Sequence, residues 1–316
     1  MESLSEILKS VLDPSRLQQA EEKSRQLLAD PLVVKWRMKY PQVTDSELKL
    51  NMNRVYQYIK EYNSCSRCPG LEDCPNDMQG HYTLLSAETV NGATHIYDQK
   101  VSCKKFMAKQ AQDAIRSRIR SFYVDERSLE QGYSADEILT MDRKRVKAVN
   151  ALMKYIDETK ENGLLAKGLY LSGSFGTGKT FLMCYMLHEL AKAGYTGAIV
   201  YMPDFSEDLK AMFNEPARLK DTIDMLKDTD LLIFDDIGAE NMNPWLRDHV
   251  LGTILNYRMN RKPTFFTSNY DLDGLEKHFS FTSRDGEEEF KGQRIMDRIR
   301  HFVDVIAVTG ANKRGR

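Results

Sequence analysis

The chain has 316 residues, 29% of them charged, with a formal net charge of −1. That length suits two ordinary domains, and the near-neutral balance leaves no overall basic field, so any contact with nucleic acid has to come from a local patch. No run of about eighteen apolar residues occurs, and Met1-Glu2-Ser3-Leu4 lacks the basic and apolar regions of a signal peptide, so the expectation is a cytoplasmic protein without a membrane partner.

Leu4 to Leu28 carries leucines at helical spacing, interrupted at Asp13-Pro14, which predicts two short helices without evident chemistry. Thr44 and Glu47 are spaced for a capping box, and Leu48, Met52, Val55, Tyr56 and Ile59 then recur on one face of a helix. Next come Cys65, Cys68, Cys74, His81 and Cys103, four of the five cysteines of the chain within about forty residues. In a reducing compartment such crowding points to a metal rather than to disulfides, and a tetrahedral Zn²⁺ needs four of these five side chains. Asn91-Gly92 lies between two strand-like runs, Tyr82 to Thr89 and Thr94 to Val101, and predicts a two-residue hairpin turn. Counting outward from that turn pairs Val90 with Ala93 and His81 with Ser102, one residue from Cys103. The expected zinc ligands are therefore Cys65, Cys68, His81 and Cys103, with Cys74 in reserve and a four-cysteine set as the alternative. Four protein ligands leave no open position, so such a metal would be structural.

From Phe106 to Asp142 the chain is charged and poor in apolar clusters, and a domain junction is expected there. Arg116, Arg118 and Arg120 precede Phe122 and Tyr123; a solvated helix face is the favoured reading over a single-strand contact. The division that follows is a small α+β domain over 1–106, a linker over 107–142 and an α/β domain over 143–316.

The third segment opens with a helical stripe at Val146, Val149, Leu152, Met153 and Ile156. Short apolar runs at Gly168 to Ser172, Ala198 to Met202, Leu231 to Phe234, Pro263 to Thr267 and Asp304 to Val308 read as buried strands. Between them, helical patterns span Phe181 to Ala193, Leu209 to Leu226 and Pro244 to Met259. Strands alternating with helices predict a parallel sheet flanked by helices, with ligands outside the carboxyl ends of its strands. Cys184, inside the first of these helices, is expected in the core.

At the end of the first strand stands Gly173-Ser174-Phe175-Gly176-Thr177-Gly178-Lys179-Thr180, which meets every fixed position of the phosphate-loop pattern. Its backbone N–H groups are suited to phosphate oxygens, Lys179 to the outer phosphates of ATP and the Thr180 hydroxyl to Mg²⁺. Leu231 to Phe234 delivers Asp235 and Asp236 to the same edge, a Walker B pattern in which Asp235 faces Mg²⁺ and Asp236 orients or deprotonates water, with Glu240 as rival base. Asn269 follows the next apolar strand at a position from which it can reach the outer phosphate or its water. On the helix around Gln293 to Arg300, Arg294 and Arg298 share one face, and Arg298 is the candidate finger toward a neighbouring subunit's nucleotide.

These stretches in this order resemble the AAA+ ATPases of the DnaC/IstB/DnaA branch. The continuation Asp235-Asp236-Ile237-Gly238-Ala239-Glu240 and Trp245-Leu246-Arg247-Asp248, together with the cysteine–histidine cluster upstream, looks like the DnaI-type replicative helicase loaders. The resemblance implies an AAA+ fold preceded by a zinc-binding domain that contacts a hexameric replicative helicase. It also implies ATP, Mg²⁺ and Zn²⁺ as cofactors, single-stranded DNA and other primosome proteins as partners, and self-assembly on the helicase. It gives Lys179 and Thr180 Walker A roles, Asp235 and Asp236 Walker B roles, Asn269 that of sensor 1, and Arg298 that of the arginine finger, with Arg294 as runner-up. Two departures point to slow or partner-controlled hydrolysis: the second Walker B acid is Asp where most relatives have Glu, and no sensor 2 arginine is evident. A transposition-helper ATPase of the IstB kind and a nucleotide-sensing, zinc-dependent DNA-binding regulator are the alternatives.

Overall fold

The structure is a computed structural model that describes residues 14–124, 138, 143–282 and 286–312. The first half of the Leu4 to Leu28 reading lies outside them. The chain divides into two compact units, Met1–Gln112 and Asp113–Arg316.

In the first unit, helices α1 (Pro14–Leu28), α2 (Pro31–Lys39), α3 (Asp45–Leu50) and α4 (Met52–Ser66) precede an antiparallel hairpin of β1 (His81–Val90) and β2 (Ala93–Ser102). The Thr44 capping box forms, with Glu47 reaching back to the Thr44 N–H. The helix expected to run on from it is broken at Asn51, whose side chain donates to the Glu47 carbonyl (2.9 Å) and so competes with the helical ladder. Hairpin pairing follows the register counted from Asn91-Gly92, Val90 with Ala93 through His81 with Ser102. Val33, Trp36, Leu48, Val55, Ile59, Leu85 and Ile96 form one apolar core, with the Trp36 indole N–H satisfied by the Leu85 carbonyl. Glu61 is fully buried on the hairpin side of α4, where it accepts from the Thr83 N–H (2.6 Å), the Thr83 hydroxyl (2.7 Å) and Lys100.

Helix α5 (Lys104–Ser117) contains the boundary between the units. The stretch read as linker supplies a strand: β3 (Ile119–Phe122) pairs parallel with β5 (Gly197–Tyr201), and the Arg118 guanidinium donates to the Ala191 carbonyl (3.1 Å). Of the arginines ahead of Phe122, Arg116 stands on the exposed helix α5, as expected, while Arg118 and Arg120 lead into a sheet edge. Four residues with only one fully apolar side chain facing each way were too short to read as a strand; pairing with β5 decides it.

The second unit is built on a six-stranded parallel sheet in the order β10-β4-β7-β6-β5-β3, where β4 is Gly168–Ser172, β6 Leu231–Asp235, β7 Thr264–Ser268 and β10 Val303–Ala307. Alternate residues of each strand supply two cores, one on each face: Tyr170, Val200, Phe234 and Phe266 on one, Leu169, Leu171, Ile199, Ile233 and Phe265 on the other. Helix α6 (Val146–Asn162) and α7 (Lys179–Lys192), with Cys184 buried, cover the second face. The helical stretch expected over Leu209 to Leu226 is two helices, α8 (Met202–Ala211) and α9 (Pro216–Asp228), because Pro216 can start a helix but not continue one. Residues Leu246–Leu251 wind as a π-helical stretch before α10 (Gly252–Arg258). After β7 come α11 (Leu272–Ser280), which sequence reading did not resolve, a minimal pair β8 (Phe281–Thr282) and β9 (Gly286–Glu287), and α12 (Glu289–Arg300). Among the described residues no helix is long and apolar enough to cross a membrane.

Candidate nucleotide site

Three adjacent strands, β4, β7 and β6, end at one edge of the sheet, and each delivers one of the sequence motifs there. The phosphate loop leaves β4 and closes at Gly178, whose φ of 91° caps the N-terminus of α7. Gly173 also needs to be glycine, since a Cβ there would lie 2.2 Å from the Val308 carbonyl oxygen. The loop therefore presents bare backbone and a helix N-terminus, the surroundings that favour phosphate.

Lys179 is buried, and its ammonium donates to the carbonyls of Gly173 (2.8 Å) and Ser174 (3.1 Å) and to Asn269 Oδ1 (2.8 Å). The Asn269 amide in turn donates to Asp236 Oδ1 (2.8 Å). A second chain runs beside it: Thr180 Oγ1 donates to Asp235 (2.9 and 3.0 Å), which also accepts from the Thr267 hydroxyl (2.7 Å). Thr267 accepts from the Asp236 N–H (2.8 Å) and so sits between the two acids. Asp236 is held with φ at 55°, a left-handed conformation uncommon outside glycine, which turns its carboxylate from the strand toward Asn269.

Burial pushes the Asp235 carboxyl above its ordinary range, and the neighbouring Asp236 adds to this, while bonds from Thr267 and Thr180 act the other way. A carboxylate and a hydroxyl side by side are hard oxygen donors of the kind Mg²⁺ takes, and a divalent cation there would favour the ionised acid. The residues present thus fit ATP with Mg²⁺: Lys179 and the loop would hold phosphate, Thr180 and Asp235 the metal. Glu240 is engaged elsewhere, accepting from the Gly238 N–H (2.8 Å) within the turn after β6 and pairing with His278 of α11 (2.9 Å). Sequence reading assigned nothing to Thr267; the only signal was its place in the run Thr267-Ser268-Asn269 at a strand end.

Arg298 and Arg294 do share a face of α12 and, with Lys227, Tyr257 and Arg261, line a recess of about 460 Å³ that contains no residue of the phosphate loop or of the Asp235–Asp236 pair. Arg298 is half-buried, bonds back to the Arg294 carbonyl and has no partner for its Nε among the described residues.

The cysteine cluster comes out differently from its expectation. Among the described residues no three His, Cys, Asp or Glu side chains stand close enough to hold a metal ion. The reason for His81 is visible in the hairpin. Directly paired residues share a face, so His81 meets Ser102 (Nε2 to Oγ, 3.0 Å), and Cys103 lies just past the end of β2. The other ring nitrogen of His81 lies 2.9 Å from the Gln79 carbonyl. Each remaining thiol has its own N–H partner: Asn76 for Cys65 (3.4 Å), Gly80 for Cys74 (3.5 Å) and Phe106 for Cys103 (3.4 Å). The Gly70 backbone, then Lys105, holds the Cys68 thiol below its usual range. The register counted from the Asn91-Gly92 turn gave the correct hairpin pairs.

Both parts of the chain match families of known proteins. Residues 1–92 match the family model for the N-terminus of primosomal protein DnaI, and residues 104–316 match that of the IstB-like ATP binding proteins. The replicative helicase loader DnaI of Bacillus subtilis (strain 168) is 34% identical over 304 residues, which cover 95% of this chain and 93% of that protein. A crystal structure of DnaI superposes with a TM-score of 0.52 at 36% identity, over 63% of this chain and 99% of that one. With relatives and family models covering both units, the chain belongs to the DnaI-type replicative helicase loaders.

Proposed function

We propose that the chain uses ATP with Mg²⁺ to control the loading of a hexameric replicative DNA helicase onto single-stranded DNA. The observation that carries the nucleotide part is the pair of side-chain relays at the sheet edge, Lys179–Asn269–Asp236 and Thr180–Asp235–Thr267, in a chain of the loader family. In this reading the loop from Gly173 to Thr180 binds the phosphates, and Thr180 and Asp235 hold Mg²⁺, which supplies charge neutralisation on the phosphates when bound. Asp236 takes the proton of the attacking water, and Asn269 reports the outer phosphate to Lys179 and Asp236 at once. Asp236 is one methylene shorter than Glu, and displacement of a base by about 1 Å costs on the order of a hundredfold in rate, which suits ATP used as a switch more than as steady fuel. Arg298 acts on the nucleotide of a neighbouring copy when subunits assemble on the helicase.

The first unit is the helicase-docking domain, with 1–106 as its span and 143–316 as the ATPase domain. Structural Zn²⁺ bound by Cys65, Cys68, Cys103 and His81 is part of the proposal only as a loaded state that turns His81 off Ser102; no step of the ATP cycle depends on it. Elemental analysis of the purified chain decides, with one zinc per chain expected and none retiring it. The function itself is tested by co-purification of the full chain with the hexameric replicative helicase, with and without ATP. Nucleotide-dependent association supports loading, whereas no association together with tight duplex DNA binding supports a transposition helper or regulator instead.

A further inference from the structure

We infer that Arg145 is a phosphate ligand of the bound nucleotide, a second cation that the phosphate-loop pattern does not contain. The inference rests on the ATP reading of the site. Arg145 ends the short 3₁₀ turn Arg143–Arg145 immediately before α6 and is 2% exposed. Its Nη1 stands 2.6 Å from where a Cβ on Gly178 would lie, so the guanidinium rests against the last glycine of the loop, at the N-terminus of the fourteen-residue helix α7.

What sets it apart is its bonding. Among the described residues three arginines are fully buried: Arg145, Arg247 and Arg258. Arg247 pairs with Asp248 and Glu288 and donates to the Phe279 carbonyl, and Arg258 donates to five carbonyls and the Thr264 hydroxyl. Arg145 Nε and Nη2 have no hydrogen-bond partner among the described residues. A guanidinium cannot shed its charge, and a buried unpaired charge is costly, so the position makes sense only if an anion joins it. A helix N-terminus beside it carries the same sign of partial charge, and a ligand that satisfies both is a phosphate chain. The planar guanidinium fork matches two phosphate oxygens. Its backbone is anchored for the task, since the Thr309 hydroxyl donates to the Lys144 carbonyl (2.9 Å) and α6 starts at the next residue.

The test titrates ATP, ADP and adenosine into the full chain and its Arg145→Met and Arg145→Lys variants by calorimetry, and records thermal unfolding of each with and without ATP. Arg145→Met is expected to weaken ATP and ADP binding about ten- to a hundredfold, the worth of one or two charge-assisted bonds, and to leave adenosine unchanged. Unfolding without nucleotide should occur at the same or a higher temperature, because an unpaired buried charge has gone, while the increment given by ATP shrinks; Arg145→Lys should regain part of the affinity. ATP binding within twofold of wild type in Arg145→Met overturns the inference, as does a parallel loss for adenosine or a lowered nucleotide-free melting temperature that accounts for the loss. Failure of the wild-type chain itself to bind ATP, where Lys179→Ala behaves identically, overturns instead the nucleotide reading on which this one stands.

Discussion

Asn269 is the joint of the candidate site, and Asn269→Ala is the substitution that interrogates it. Its two ends make bonds of 2.8 Å each, one from the Lys179 ammonium and one to the Asp236 carboxylate. Each involves a charged partner and is worth about 1.5–3 kcal/mol. The Asp236 backbone should stay where it is, because its N–H remains tied to Thr267 and its φ is set by the turn after β6. Only the aim of the carboxylate is lost. Turnover is therefore expected to fall about ten- to a hundredfold, while ATP affinity changes less than about threefold, since the loop and Lys179 remain. Asp236→Asn should lower turnover by at least as much, and the double variant should be little worse than Asp236→Asn alone, giving a coupling of roughly 1.5–3 kcal/mol. The assay is phosphate release at saturating ATP and Mg²⁺, with nucleotide affinity measured separately and Lys179→Ala as background. If the two single effects simply multiply, the Asn269–Asp236 bond does not position the base and the reasoning is refuted.

Arg298→Ala should leave ATP binding by the isolated chain intact and reduce hydrolysis only where copies assemble; unchanged turnover in assemblies removes its role as a finger. Arg258, whose burial lowers its pKa to about 10 with Asp230 and then Asp228 opposing, clamps the end of α9 and the starts of β6 and β7 through six bonds. Arg258→Met should cost about 3 kcal/mol or more and lower the melting temperature of its unit by roughly 10 °C, and a loss under about 1 kcal/mol would falsify the clamp. Burial alone would raise the Glu61 pKa, but bonds from Lys100, Thr83 and Gln57 outweigh it and hold the acid below its ordinary 4.5. The stability it gives is thus present above about pH 4.5 and lost as pH falls through the lower folded value. Glu61→Gln should flatten this acid limb in unfolding curves of the first unit and cost about 2 kcal/mol at pH 7, less than a fully buried pair because Lys100 is 33% exposed. An unaltered acid limb would remove Glu61 as its source.

Much of this molecule was legible because the signals are local. The phosphate loop, the five apolar strand runs and the Asn91-Gly92 turn each depend on residues within about ten positions, where periodicity and turn chemistry are decided. The losses were local competitions or tertiary overrides. Asn51 divides a helix by bonding backward, Pro216 begins a new one, and β3 becomes a strand only because the β5 edge accepts it.

The sequence by itself determined that a phosphate loop, an acidic strand end and a polar strand end exist, and it placed them in an α/β order. Which of their side chains meet was decided by strand order: β7 lies between β4 and β6, so Asn269 stands between Lys179 and Asp236 although the first pair is ninety residues apart in the chain. The same holds for a residue to which the sequence assigned nothing. Whether Arg145 matters depends on its burial against Gly178. That contact has no counterpart in sequence spacing, because it is made through space by backbone that only the assembled unit holds in place.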